Sequence, residues 1–340
     1  MNNKVKVGII GCGYWGPNLI RNFLEVKQAK VVAACDIDKK RLKFIKQRFP
    51  QLKITTNVKQ FINSPQIDAI AIATPISTHY RLSIAALNAN KHVLVEKPIA
   101  SSTNKAKKLS NLATSKKLVL MVGHTFEYKG SVSAIKNIIS ENKLGKIYYV
   151  ESSRVNLGLF QEDINVVWDL APHDISIFNY ILKKIPKKVL AVASNHITDQ
   201  ENLAYIILDY SPKLKGFINV NWLSPVKYRR MVIAGSKATI VYDDNDSFEP
   251  VKIYRSGAEL KTIFSKNLIQ KQLIYRTSDI TIPKIDTTEP LTKECQEFIR
   301  SIINKSIPKT DGKNGIRVVA VLEAIQKSIK AGGKFIKVNI

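Results

Sequence analysis

The sequence predicts an α/β protein: a doubly wound parallel sheet over residues 1–122, then an α+β domain with an open, mainly antiparallel sheet over residues 123–340. Three observations predict this. Apolar runs alternate with helical spacing through the first part, a glycine-rich turn links the first strand to the first helix, and short strands follow one another after Gly123. A chain of 340 residues is long enough to build two hydrophobic cores.

The first strand is followed directly by a glycine-rich turn. The apolar run Val5–Ile10 leads into G-x-G-x-x-G at residues 11–16, after which the apolar residues are spaced as in a helix. Gly11 permits a tight turn, Gly13 lets a pyrophosphate approach the backbone, and Gly16 lets the helix pack closely on the strand. This order predicts a dinucleotide site at the helix N-terminus, and a glycine turn without a ligand is the alternative.

The second strand ends in a carboxylate that bears on the choice of cofactor. Residues 31–35 are apolar, and Asp36 follows 20 residues after Gly16, where a ribose-binding acid is expected. A carboxylate there accepts hydrogen bonds from a ribose 2′-hydroxyl and repels a 2′-phosphate, so NAD is the predicted cofactor. NADP stays the alternative, because a basic cluster lies next to Asp36: Lys39, Lys40 and Arg41.

The remaining strands of the parallel sheet bring a lysine to a ligand-binding edge. Residues 67–74 and 92–95 are apolar runs, and 118–122 completes the alternation. Lys97 stands between the end of one strand and Pro98, and ligands lie beyond the carboxyl ends of such strands. Partial burial and a nearby nicotinamide cation would favour the neutral amine, which can accept a proton. The alternative is an exposed, solubilising lysine.

The second part of the chain is predicted to contain successive strands and a helix with chemistry-bearing side chains. Predicted strands cover residues 145–156, 189–196, 204–210, 216–222, 229–234 and 239–242, and closing helices cover 289–303 and 316–331. Because proline is tolerated in the first turn of a helix, Pro172 predicts a helix that begins near Asp169, with Asp169 as its N-cap. Asp169 and His173 then share one face, where a carboxylate can orient an imidazole. A capping aspartate and a structural histidine are the alternative, and the absence of a third ligand argues against a metal.

Composition excludes several classes of function. The net charge is +26, but lysines spread along the whole chain supply most of it, so we expect no nucleic-acid partner. No apolar run is long enough to span a membrane and no signal pattern precedes the first strand, so no membrane partner is expected. Cys12, Cys35 and Cys295 have neither metal nor disulfide spacing, which predicts a reducing cytoplasm and no metal.

The motifs together resemble those of the glucose-fructose oxidoreductase, inositol dehydrogenase and MocA family. The glycine loop, residues 73–75 with Thr78-His79, the Glu96-Lys97-Pro98 motif and Asp169-x-x-x-His173-Asp174 occur in the order and spacing typical of that family. The resemblance implies an N-terminal Rossmann domain and an open sheet that often mediates homodimers or homotetramers. It also implies reversible hydride transfer between NAD(P) and a sugar or cyclitol hydroxyl carbon.

The same resemblance assigns roles to individual positions. It makes Lys97 the proton-handling residue, with Asp169 and His173 completing the catalytic set, and places Glu96 by the nicotinamide ribose. The predicted cofactor contacts are Gly11, Gly13, Tyr14, Trp15, Gly16, Asp36, Thr74, His79 and Glu96.

A narrower resemblance concerns the substrate. Residues 11–19, 154–158, 168–174 and 222–225 look like the branch that oxidises C3 of UDP-N-acetylglucosamine or its uronate for cell-surface polysaccharide sugars. Arg154, Asn156 and Arg229 then become predicted substrate contacts together with Lys97 and His173, since a diphosphate pairs well with guanidinium groups. Their alternative is a set of charges on an exposed sheet face.

Other functions stay open. A C3-ketoreductase, which runs the reaction in the other direction, and an inositol or glucose dehydrogenase would have the same fold. A non-catalytic Rossmann protein that binds nucleic acid or senses redox state is the remote alternative.

Overall fold

The computed structural model describes residues 4–158, 160, 163–265, 268–276 and 279–340. The chain forms two compact units. The first contains residues up to Lys129 together with Thr288–Glu323 and Ile340, and the second contains Gly130–Thr287 and Ala324–Asn339.

The first unit is built on a parallel sheet. Its described strands are β1 (Val5–Ile10), β2 (Ala29–Cys35), β3 (Lys53–Thr55), β4 (Ala69–Ile72), β5 (His92–Glu96) and β6 (Leu120–Gly123). They lie in the order β3-β2-β1-β4-β5-β6 with all pairs parallel, so the order reverses between β1 and β4. Every residue of β4 is buried, as expected of a strand covered on both faces. The predicted doubly wound sheet is confirmed.

Helices follow the strands of this sheet, and all of them except the short α3 were predicted. They are α1 (Trp15–Glu25), α2 (Lys39–Arg48), α3 (Val58–Ile62), α4 (Ile76–Asn88) and α5 (Thr103–Ser115), and a 3₁₀ turn at Thr125–Tyr128 follows β6. Local capping explains two of the starts. Asp38 accepts a hydrogen bond from the Lys40 N–H at the start of α2, and Ser102 accepts one from the Lys105 N–H at the start of α5.

The second unit contains a mixed sheet with two helices beside it. Its elements are α6 (Gly130–Ser140), β7 (Ile147–Leu157), α7 (Val166–Leu182), β8 (Lys188–Ser194), β9 (Leu203–Ser211), β10 (Leu214–Asn221), β11 (Leu223–Gly235), β12 (Thr239–Asp243), β13 (Val251–Tyr254), β14 (Gly257–Ser265), β15 (Leu268–Arg276) and β16 (Ile280–Thr281). The helices α8 (Pro290–Asn304) and α9 (Gly312–Lys330) and the short strand β17 (Ile336–Lys337) complete the chain.

The strands of the second unit confirm the open, mainly antiparallel sheet. Their order is β16-β13-β12-β11-β7-β10-β9-β8-β17, while β14 and β15 form a separate hairpin. The pair β7 and β10 is parallel, whereas the other described pairs of this sheet are antiparallel. The sequence did not predict β13 to β17.

Helix α8 belongs to the first unit although it lies late in the sequence. Its residue Phe298 meets Phe23 of α1 edge to face, with ring centroids 6.1 Å apart. Arg21 of α1 also pairs with Glu289 at 2.6 Å, next to the start of α8. The predicted division at residues 122 and 123 treats each domain as one continuous segment. The packing units are discontinuous instead, because the apolar side of α8 is buried with the parallel-sheet core.

The start of α7 differs from the prediction. The helix begins at Val166 with Asn165 as its N-cap, whose side-chain oxygen accepts the Trp168 N–H at 3.0 Å. Pro172 lies inside the helix. The prediction that Asp169 caps the helix is therefore wrong. The physical reason is that Asn165 caps it one turn earlier, and burial of most of the helix offsets the backbone hydrogen bond that Pro172 cannot donate.

Among the described residues, every helix is too short or too polar to traverse a lipid bilayer.

Candidate active site

The glycine loop has the geometry that a bound pyrophosphate needs. Gly11 has a φ of +95°, and a Cβ there would lie 2.4 Å from the Ala73 carbonyl oxygen. A Cβ on Gly16 would lie 2.2 Å from the Gly11 carbonyl oxygen. A Cβ on Gly13 would meet the Arg41 guanidinium at 3.6 Å and otherwise enter open space. The protein's own packing therefore requires Gly11 and Gly16, whereas Gly13 leaves room that a ligand can fill.

The N-terminus of α1 follows directly after Gly13 and has no side-chain cap. Tyr14 holds the N-cap position and makes no capping hydrogen bond, so the first N–H groups of the helix can bind an anion. The Tyr14 and Trp15 rings meet edge to face at 5.6 Å and are 83% and 39% exposed. The loop and helix thus fit a dinucleotide, with both predicted aromatic contacts at the surface.

Asp36 is fixed at the end of β2 by the glycine loop itself. Its Oδ2 accepts the Cys12 N–H at 2.6 Å, and its Oδ1 accepts the Asp38 N–H at 2.8 Å. Burial and the charge of Asp36 raise the pKa of the Cys12 thiol to about 12, so this cysteine stays a neutral thiol. Arg41 Nη1 lies 3.9 Å from Asp36 Oδ2. The carboxylate and the guanidinium are neighbours at this strand end, and the preference for NAD over NADP stays a prediction.

Thr74 and His79 connect two loops at the ligand-binding edge of the sheet. The His79 ring is almost completely buried, with Nδ1 2.8 Å from the Pro98 carbonyl oxygen and Nε2 2.7 Å from the Thr74 carbonyl oxygen. The Thr74 hydroxyl lies 2.6 Å from the Thr78 hydroxyl. His79 therefore ties the loop after β4 to the loop after β5. A direct contact of either residue with the cofactor stays a prediction.

Glu96 and Lys97 occupy the carboxyl end of β5. The Lys97 N–H donates to Glu96 Oε2 at 3.3 Å, and the Lys97–Pro98 peptide bond is cis. Burial raises the pKa of Glu96 to about 7, against the opposing effects of the Lys97 charge and N–H. Burial and the charge of Lys97 lower the pKa of His124 to about 3, so His124 is neutral. A carboxyl group that titrates near neutrality thus lies beside the predicted proton acceptor.

The Glu96 carboxyl packs over a glycine on the neighbouring strand. Glu96 of β5 is paired with Gly123 of β6, and a Cβ on Gly123 would lie 3.0 Å from Glu96 Oε2. A larger residue would displace the carboxyl group.

Asp169 and His173 lie four residues apart in α7 and share one face, as predicted. Asp169 Oδ2 accepts a hydrogen bond from the Trp222 indole Nε1 at 3.2 Å. Trp222 is 1% exposed, and a Cβ on Gly158 would lie 2.5 Å from its ring. A buried indole therefore holds the Asp169 carboxylate. In the part of the chain that the structure describes, no group of three His, Cys, Asp or Glu side chains is placed to hold a metal ion.

The predicted substrate-contacting arginines have carboxylate partners. Arg154 is 4% exposed and binds Asp174 through two hydrogen bonds of 2.9 and 3.0 Å. Arg229 Nη1 lies 3.6 Å from Asp244 Oδ2, and Asn156 is half-buried on β7. These ion pairs account for the positions of both arginines without a ligand, and Arg154 is not the exposed sheet charge that the alternative interpretation expects. Their contacts with substrate stay predictions.

Within each unit, several residues near the predicted site residues were given no role of their own from the sequence. They are the helix cap Asn165, the Asp169 partner Trp222, the Arg154 partner Asp174, and the buried groups His124, Glu127 and Glu294. One signal was available for Glu294. It occupies a core-facing position of α8 between Leu291 and Phe298, where an apolar residue is expected.

Two family models match the chain. The model described as "Oxidoreductase family, NAD-binding Rossmann fold" matches residues 5–124, and the model described as "Oxidoreductase family, C-terminal alpha/beta domain" matches residues 136–340. Both belong to the glucose-fructose oxidoreductase, inositol dehydrogenase and MocA family. Together they cover most of the sequence.

Three similar proteins show the range of this likeness. The chain is 24% identical to scyllo-inositol 2-dehydrogenase (NADP(+)) IolW of Bacillus subtilis, over 96% of this chain and 94% of that protein. UDP-N-acetylglucosamine 3-dehydrogenase GnnA from Acidithiobacillus ferrooxidans matches with a TM-score of 0.79 and 22% identity, over 96% of this chain and 98% of that one. GenD2 from gentamicin A biosynthesis, solved in complex with NAD, matches with a TM-score of 0.83 and 18% identity, over 99% and 97%. The chain therefore belongs to the glucose-fructose oxidoreductase, inositol dehydrogenase and MocA family, as an oxidoreductase with an NAD-binding Rossmann domain.

Proposed function

We propose that the protein is an NAD-dependent dehydrogenase that oxidises C3 of a UDP-N-acetylhexosamine or its uronate. The observation that carries the dehydrogenase chemistry is the half-buried Lys97 at the end of β5, beside a carboxyl group whose pKa lies near neutrality. The sugar assignment is supported by the motifs of residues 11–19, 168–174 and 222–225, and by the likeness to the UDP-N-acetylglucosamine 3-dehydrogenase GnnA.

The residues divide the chemistry among them. NAD, when bound, accepts the hydride at nicotinamide C4. The glycine loop and the N-terminus of α1 would hold the pyrophosphate, and Asp36 would accept hydrogen bonds from a ribose hydroxyl. Lys97 or His173 takes the proton of the sugar hydroxyl, and Asp169, fixed by Trp222, orients His173. The Lys97 charge and N–H favour the ionised form of the neighbouring Glu96 carboxyl group, although its burial opposes ionisation.

An inositol dehydrogenase is the second candidate. The likeness to IolW extends over 96% of this chain. A cyclitol carries no diphosphate and needs no guanidinium partner. Because the Arg154 guanidinium is buried against Asp174, its position favours this candidate over a nucleotide sugar.

We also propose that the protein forms a homodimer or homotetramer through the open sheet of the second unit. Apolar side chains at Val192, Tyr205 and Phe217 are between 38% and 54% exposed. The strand register places them on one face, since Val192 pairs with Tyr205 while Phe217 pairs with Ile207, two residues further along β9. Light scattering after gel filtration measures the mass in solution, and a monomer would contradict this proposal.

A substrate panel tests the proposed activity. UDP-N-acetylglucosamine, its uronate, myo-inositol, scyllo-inositol and glucose are each mixed with the enzyme and with NAD or NADP, and formation of reduced nicotinamide is followed. We expect kcat/KM to be at least about tenfold higher for one of the UDP-sugars with NAD than for any cyclitol. A higher value for an inositol would establish the second candidate. Turnover of none of these compounds by a protein that binds NAD would refute both.

A further inference from the structure

Helix α8 carries a buried carboxyl group that the proposed chemistry does not use. Glu294 is completely buried and lies on the side of α8 that faces the 3₁₀ turn at Thr125–Tyr128. Neither of its carboxyl oxygens makes a hydrogen bond of normal geometry with a described residue. An ionised carboxylate in such a place is costly, because complete burial removes its charge from solvent.

Two further buried carboxyl groups lie near Glu294. Glu96 reaches this region from β5, and Glu127 reaches it from the 3₁₀ turn, where its Oε1 accepts the Asn314 amide N–H at 3.0 Å. The Lys309 charge acts on Glu294, and the Lys309 Nζ donates to the main-chain oxygen of Glu127 at 2.8 Å. The titratable and polar groups that face Glu294 are Glu96, Thr125, Glu127, Tyr128, Cys295 and Lys309.

The surroundings of the carboxyl groups differ in how well they support a charge. Glu96 has the Lys97 charge and the Lys97 N–H beside it, and both favour its ionised form. Burial raises the pKa of Glu294 well above its ordinary value, and the charges of Glu96 and Glu127 raise it further. The Thr125 hydroxyl and Lys309 oppose this only in part. Because the charge of one buried carboxylate disfavours ionisation of the other, one of them keeps its proton.

We propose that Glu294 is a positioning residue that keeps its proton in the folded enzyme, and that its neutral side chain allows Glu96 to ionise near neutral pH beside Lys97. The consequence for Lys97 rests on the proposed function, whereas the protonation of Glu294 does not. Glu96 and Glu294 together then hold one proton near the carboxyl end of β5. Glu96 thereby remains available as the anionic partner of the Lys97 ammonium group.

The pH dependence of unfolding tests the proton on Glu294. A carboxyl group whose pKa is raised on folding binds more protons in the folded state, so stability falls as pH rises above the ordinary value of 4.5. Glu294→Gln removes that loss. Near pH 4, we expect the Tm of Glu294→Gln to equal that of the wild type or to lie below it. Above about pH 5, the Tm of the variant minus that of the wild type should increase by about 2 to 4 °C per pH unit. Cys295→Ser is the matched control, because it alters the adjacent buried residue without removing a carboxyl group, and its Tm difference should not change over this range.

A double-mutant cycle tests the link to Glu96. When Glu96→Gln is already present, Glu294 no longer faces that negative charge, so Glu294→Gln should raise Tm less above about pH 7 than it does in the wild type. The two substitutions should be additive near pH 4, where both carboxyl groups are protonated. Parallel Tm curves for wild type and Glu294→Gln, or additivity at every pH, would overturn the proposal.

An infrared measurement on the wild type covers the case in which Glu294→Gln does not fold. The intact protein at about pH 8 should show the carbonyl band of a protonated carboxylic acid, which is well separated from the band of a carboxylate. Absence of that band would overturn the proposal. Neither readout needs a substrate, so a failed substrate panel would refute the proposed function and leave this inference standing.

Discussion

The buried ion pair between Arg154 and Asp174 allows a quantitative prediction for Asp174→Asn. The two side chains are 4% and 3% exposed and joined by two hydrogen bonds, so solvent screens their attraction little. Burial alone would lower the pKa of Arg154, but the charge and hydrogen bonds of Asp174 raise it above its ordinary value. The Arg154 guanidinium therefore keeps its proton and its positive charge. Asp174→Asn should leave a buried cation without the carboxylate that binds it through two hydrogen bonds.

The size of the effect follows from that burial. Removal of one partner of a buried pair costs about 3 to 5 kcal/mol. The nearby charge of Asp244 also favours the cation, so we expect the lower end, about 3 kcal/mol. This corresponds to a fall in Tm of about 6 to 12 °C. Calorimetry and urea unfolding measure it, while NAD affinity should stay unchanged because the predicted cofactor contacts all belong to the first unit.

Two controls separate charge from packing. The double variant Arg154→Met with Asp174→Leu removes both charges and should recover most of the lost stability. Glu141→Gln breaks the exposed pair with Lys143 and should cost less than about 1 kcal/mol. A stability of Asp174→Asn within about 1 kcal/mol of the wild type would refute the reasoning. A double variant as unstable as the single one would show that packing, not charge, is decisive.

The remaining predictions concern the cofactor and the proton. Lys97→Met should lower kcat by at least about a hundredfold with nearly unchanged NAD affinity, and near-normal turnover would exclude its role as the base. Gly16→Ala should cost about 1 to 3 kcal/mol in unfolding experiments because its Cβ would meet the Gly11 carbonyl oxygen at 2.2 Å. Gly13→Ala should leave Tm nearly unchanged and weaken NAD binding in a titration, because the space it fills belongs to the ligand; normal binding would count against the predicted site. Asp36→Asn should lower the ratio of NAD to NADP affinity on the order of tenfold, and an unchanged ratio would show that Asp36 does not select the cofactor.

Much of the first unit could be predicted because its signals are local. The apolar run of β1, the glycines after it and Asp36 at the end of β2 form a pattern within about 30 residues of sequence. A parallel strand buried on both faces also reads as a continuous apolar run, which is why β4 was identified correctly. In the second unit, the face that Asp169 and His173 share was also predictable from a local signal, because it follows from helical periodicity.

The start of α7 shows where local signals mislead. Pro172 indicated a helix start near Asp169, yet the Asn165 side chain caps the helix earlier and α7 continues through the proline. A cap is a single side-chain hydrogen bond, and several polar residues upstream of Pro172 could have supplied it. The choice among them is made by burial of the helix against the rest of its unit.

The sequence by itself determined the parallel-sheet fold, the glycine loop for the cofactor and the position of Lys97 directly after β5. Only the tertiary structure decided that Arg154 is buried against Asp174, that Trp222 holds Asp169, and that Glu294 of α8 lies near Glu96. These pairs are separated by 20 to nearly 200 residues. Desolvation and charge pairing depend on distances in space and not on spacing along the chain, so local sequence patterns do not predict them.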